Sequence, residues 1–306
     1  MNRIYRKKPF WSLFGPILIF FGIEMAAQFL AWWMVLIFNQ DFLKLLMEGM
    51  LSAQQIDFEE INNQALQIFS KYQVGVMGVT AFCTLPLTVL LFRKDRKLEK
   101  TYQVPVNKKA SGKKYPQLAV LGLAFSVGFT CLAAMLEVVF YSEQYEQAQV
   151  ISYTASLPVQ LICLGLIIPL AEEMMFRGVL FKRFREYTGF KKAAVYSSFC
   201  FCLIHGNIIQ MLYGFVTGMF LAYVCEKYGS MIAPAFLHIV MNLCSLILTE
   251  AGVFNWMAMA PIRMGAAVVV SACLISVVFV CIQRIEEKPE QPGNSGSDKI
   301  TPDMFR

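Results

Sequence analysis

Two adjacent carboxylates and an arginine, Glu172, Glu173 and Arg177, sit inside an otherwise apolar run from Leu157 to Phe181. Further along, His205 closes the stretch Phe201-Cys202-Leu203-Ile204-His205, and His238 opens His238-Ile239-Val240-Met241-Asn242. The chain has two histidines, and both lie in apolar sequence. An ionised side chain at the centre of a bilayer costs at least ~2.5 kcal/mol even on the lenient insertion scales, so groups placed there must be paired, hydrated or in use. On an α-helix residues i and i+4 share a face, which predicts a structural ion pair between Glu173 and Arg177 and leaves Glu172, about a quarter-turn away, without that partner. The same spacing puts His238 and Asn242 on one face. Hydrolysis needs a base that takes a proton from water and donors that hold the oxyanion; Glu172 with His205 suits the first task, and His238 with Asn242 the second. Glu172, His205 and His238 are also the residue types that hold a divalent metal such as zinc with water in an open position. The metalloprotease spacing H-E-x-x-H is absent. The residues leave both chemistries open and favour a glutamate-activated water, with no cofactor required.

The elements that carry these groups follow from composition. With 57% hydrophobic and 16% charged residues in 306 and a mean hydropathy of +0.53, the chain is far too apolar for a soluble domain of its size. It reads as an all-α, polytopic integral membrane protein. Apolar runs able to span ~30 Å of hydrocarbon lie at about 12–38, 73–92, 117–140, 157–181, 193–209, 210–225, 231–249 and 262–283. These predict about eight transmembrane helices, with a break near Gly206-Asn207. Of the 27 Lys and Arg residues, 23 fall at the termini or in the connections 93–114, 182–192 and around Lys227, while only Lys44, Lys71 and Arg263 fall in the alternate connections. That asymmetry puts both termini in the cytoplasm, and it accounts for the net charge of +6 as topology and attraction to anionic lipid, with no nucleic-acid partner. The basic, aromatic leader Met1 to Trp11 reads as part of a retained signal anchor. Phe42, Leu45, Leu46 and Met50 have the spacing of a helix lying on the membrane surface. The connection 93–116 reads as a solvated basic linker and the tail 285–306 as disordered, ending in Asp-Met-Phe-Arg, which is no lipidation signal. Nine cysteines within or beside the spans suggest no disulfide framework.

At ~1.5 Å per residue, Glu172, Glu173, His205, His238 and Asn242 lie roughly 11 to 18 Å from the cytoplasmic ends of their spans. They share one layer, which predicts a polar cavity in the cytoplasmic half of the membrane, opening towards the cytoplasm. Pro169, three residues before Glu172, is expected to open or kink the helix there, and Asn207 and Gln210 are candidates to line the same cavity.

The succession E-E-x-x-x-R, F-x-x-x-H and H-x-x-x-N in consecutive membrane segments resembles the CPBP intramembrane protease family, which includes the CAAX prenyl endopeptidases and bacterial Abi-type proteins. The resemblance covers about Leu157 to Leu248. It implies that Glu172 is the catalytic acid/base, that His205, His238 and Asn242 complete the site, and that the substrate is a membrane-associated protein or peptide. It also implies a multi-pass protein of a cell membrane, the bacterial plasma membrane being the expected setting. The expected organisation is an N-terminal three-helix membrane region (1–156), a protease core (157–250), a last transmembrane helix (251–284) and the tail (285–306). The alternative is a non-catalytic bacteriocin-immunity or scaffold protein of the same fold. A transporter using both acids is disfavoured, because the N-terminal half holds no counterpart of the 172–177 segment. The oligomeric state is not set by the sequence.

Overall fold

A computed structural model describes residues 9–40, 42–44, 47, 58–104, 106–139, 143–205 and 207–286. Among these residues the chain forms helices and turns and no strand, so the architecture is all-α. The helices are α1 (Pro9–Phe38), α2 (Phe58–Thr101), α3 (Pro116–Val139), α4 (Glu143–Thr154), α5 (Leu157–Tyr187), α6 (Phe190–Cys202), α7 (Ile208–Tyr228), α8 (Ile232–Glu250), α9 (Val253–Ala258) and α10 (Pro261–Gln283). Seven of them, α1, α2, α3, α5, α7, α8 and α10, are long and apolar enough to cross a bilayer, which makes this a polytopic membrane protein. The leader 1–8, most of the 42–50 stretch and the tail from 287 lie outside the described residues.

The stretch expected as a fifth span, 193–209, is instead the 13-residue helix α6 followed by a turn. At ~1.5 Å per residue α6 is about 20 Å long, short of the ~30 Å hydrocarbon core. The break falls where the glycine and asparagine suggested. Asn207 Oδ1 accepts from the backbone N–H of Gln210 (2.8 Å) and caps the N-terminus of α7. α6 packs along α7, and α7 ends at Gly229, whose φ of 59° and close approach to the Lys108 carbonyl leave no room for a side chain.

α2 is 44 residues long, about 66 Å, so its apolar middle spans the membrane and both ends project beyond it. Its basic end belongs to the connection read as solvated, and there the structure differs. Asp95 is buried and accepts two bonds from the Arg183 guanidinium at 2.7 and 3.2 Å, and Arg183 also donates to the Ser12 carbonyl, tying α1, α2 and α5 together. An acid held among bases was masked in the sequence by its neighbours' charge.

α5 is the central element, packed against α2, α6, α7 and α8, and every residue from 173 to 181 is buried. One apolar cluster joins α5 and α6 around Phe176, Phe181 and Phe201; another joins α3, α7, α8 and α10 around Leu118, Phe125, Leu221 and Leu237. Between lipid-soluble helices such packing acts through close van der Waals contact. The functional cavity lies where the clusters meet, with Phe201 of the first and Phe125 of the second in its wall.

Candidate active site

The local geometry of α5 sets the site. Two π-helical stretches, Cys163–Ile167 and Met174–Phe181, flank a short α-helical piece, Ile168–Glu173, that carries Pro169 and both acids. Widened turns of this kind are frequent at functional sites. For the first of them the cause is legible. Pro169 has no N–H, and the N–H of Ile168 reaches back to the Cys163 carbonyl, so neither residue serves the Leu164 carbonyl. Asn242 of α8 does so instead, its Nδ2 donating at 2.9 Å. A carbonyl freed inside the membrane is thus paired across helices.

The two acids part company. Glu173 is fully buried and accepts from Arg177 Nη1 at 2.7 Å, with Arg177 equally buried. Arg177 Nη2 donates to the Gly218 carbonyl (3.1 Å), and its guanidinium lies over the Phe201 ring at 4.4 Å. A Cβ on Gly218 would meet Ser198 Cβ at 2.9 Å and Arg177 Nη2 at 3.2 Å, so a glycine is needed for this approach. His238 Nδ1 lies 3.2 Å from the same Glu173 oxygen. A carboxylate ion-paired with arginine only accepts, so Nδ1 carries the proton and donates. The other ring nitrogen, Nε2, lies 3.9 Å from Glu172 Oε2. The Glu172 side chain keeps 15% of its surface exposed and Glu173 none.

That exposed surface faces a cavity of about 370 Å³ whose wall includes Glu172, His205, His238 and Asn242, along with Gln210. Glu173, Arg177 and Asn207 are not in the wall; the first two lie behind it and the third is the α7 cap. His205 sits in the turn after α6, its Nδ1 3.2 Å from the Phe201 carbonyl and its ring against Gly214. Phe201 is the residue whose role the sequence did not disclose. Its ring meets His205 edge-on at 5.2 Å, His238 at 5.8 Å and Phe176 at 5.4 Å, besides carrying Arg177. The F-x-x-x-H motif names Phe201 and His205 together, but nothing in it points to His238 or Arg177.

The direction of the cavity differs from the sequence expectation. Its wall runs from Glu172 and His238 towards Ser152 and Tyr153 of α4, Gln210 in the first turn of α7, and Ser245 and Leu246 of α8. These are the span ends opposite the basic connections 93–114 and 182–192. Counting residues from one helix end gave depth but not which side of α5 was free.

Among the described residues no three His, Cys, Asp or Glu side chains come together at metal-holding distances. Glu172 and His238 approach each other, while the ring of His205 is engaged at Nδ1 by the Phe201 carbonyl. As arranged, these side chains do not form a three-ligand set.

Residues 154–244 match the family model described as "Type II CAAX prenyl endopeptidase Rce1-like". The Bacillus subtilis (strain 168) protein named "Putative membrane peptidase YdiL" is 26% identical over 109 residues, 36% of this chain and 45% of that protein. The chain therefore spans less than half the length of that relative. No solved structure matches the chain. Residues 154–244, the stretch similar to that family model, hold Glu172, His205, His238 and Asn242.

Proposed function

We propose that the protein is an intramembrane endopeptidase of the bacterial plasma membrane that hydrolyses a peptide bond in a membrane-associated protein or peptide. The observation that carries this reading is the separation of the acids: Glu172 faces a cavity with His205, His238 and Asn242, while Glu173 is sealed behind it with Arg177. Glu172, assisted by His205, takes a proton from the attacking water and delivers it to the leaving amine. His238, when protonated at Nε2, and the second N–H of Asn242 Nδ2 donate to the oxyanion; one such donor typically contributes ~2.7 to 4 kcal/mol. Glu173 positions His238 through the Nδ1 bond and keeps the ring turned towards Glu172. No step in this scheme passes through a metal. With the basic connections in the cytoplasm, the cavity reaches towards the outer face.

The test is cleavage of a library of membrane-tethered peptides by the purified protein in liposomes, with products read by mass spectrometry, with and without chelator. The expected result is chelator-resistant cleavage. No product from any peptide contradicts the reading and favours a non-catalytic immunity or scaffold protein. Cleavage lost on chelation and restored by zinc would transfer water activation from Glu172 to a metal.

A further inference from the structure

We infer that the hydroxyls of Ser126 on α3 and Thr217 on α7 bind the main chain of the substrate segment, an inference that rests on the endopeptidase reading above. A hydroxyl inside a membrane helix ordinarily bonds back to a carbonyl one turn earlier. Thr80, Thr84, Thr88, Ser197, Thr249 and Ser276 all do so here. Ser126 and Thr217 do not. They are only 5% and 4% exposed, their oxygens have no hydrogen-bond partner, and both lie in the wall of the cavity. Ser198 Oγ is also unpartnered, but it lies outside the cavity wall, beside Gly218 and Arg177. Around the two wall hydroxyls the surface is aromatic: Phe129 stacks on Tyr213 at 6.3 Å and Phe125 meets Phe220 at 4.8 Å, closing α3 against α7.

A peptide bond must leave the helical conformation to be reached by a nucleophile. Its bare N–H and C=O groups then need partners in a medium that supplies little water. A hydroxyl both donates and accepts, so Ser126 and Thr217 can meet either group, while the aromatic wall takes side chains. The volume of about 370 Å³ is within the range of binding sites and has room for a short extended segment. Ser126 lies outside the family-matched residues 154–244, so α3 brings to the cavity wall a residue that the match does not cover.

The experiment measures kcat and KM for a cleaved library peptide with wild type, Ser126→Ala, Thr217→Val, and the hydroxyl-retaining Ser126→Thr and Thr217→Ser. One neutral hydrogen bond predicts a KM raised about threefold to tenfold in Ser126→Ala and Thr217→Val, with kcat little changed and KM near wild type in the hydroxyl-retaining pair. Replacing a substrate amide beside the scissile bond by an ester should raise KM for wild type and have less effect on the variant that has lost the matching hydroxyl. Wild-type cleavage with unchanged KM in Ser126→Ala and Thr217→Val overturns the inference and leaves the endopeptidase reading standing. No wild-type product overturns the reading and the inference with it.

Discussion

Glu172 and Glu173 are neighbours in sequence with opposite surroundings. Glu173 completes a buried set with Arg177 and His238, and its other oxygen, Oε2, is buried without a partner. Removing its charge strands Arg177, and breaking a buried pair in this way typically costs ~3 to 5 kcal/mol. Glu172 holds no such partner; replacing it by glutamine keeps its shape and removes only a group that faces the cavity. The ion pair was legible because i, i+4 spacing fixes it locally. The bond from His238 was not, since it joins residues 65 apart in sequence and depends on how α8 lies against α5. Sequence spacing therefore grouped His238 with Asn242 alone, whereas the structure puts it between both acids.

At the scale of elements, the irregularity of α5 and its bond to α8 belong together. Pro169 announced a disturbed helix, but a proline does not specify whether the helix kinks, breaks or widens. The outcome depends on who serves the freed carbonyl, and that is Asn242. Asn242→Ala should therefore lower stability in detergent by about 1 to 3 kcal/mol, the usual cost of a buried acceptor left unpaired, besides reducing cleavage. Adding Pro169→Ala restores an N–H to α5 and should recover melting temperature without recovering activity, because a regular helix turns Glu172 to a new direction. An unchanged melting temperature in Asn242→Ala would contradict the bracing role. α6 illustrates a second limit of the sequence. Apolar content marked 193–209 as membrane-embedded, but hydropathy does not distinguish a full crossing from a shorter arm ending in a capped turn.

For the whole molecule, the apolar helices and their approximate ends were legible because membrane burial demands long uninterrupted apolar runs. The face on which the cavity lies was not, since it depends on how α3, α4, α7 and α8 close around α5. The charge asymmetry predicts that tags after Arg306 and within 108–114 are cytoplasmic and that one within 54–63 is outside. A membrane-impermeant reagent that labels the 108–114 tag in intact cells would reverse this orientation, and with it the side towards which the cavity extends. The proposed function divides two roles between neighbours, hydrolysis by Glu172 and bracing of the fold by Glu173. Its most direct test is a paired measurement on Glu172→Gln and Glu173→Gln in liposomes: peptide cleavage beside melting temperature in detergent. The expected result is a Glu172→Gln protein that melts like wild type and releases no product, and a Glu173→Gln protein that melts markedly earlier. Cleavage retained by Glu172→Gln, beside a stable and inactive Glu173→Gln, would contradict it.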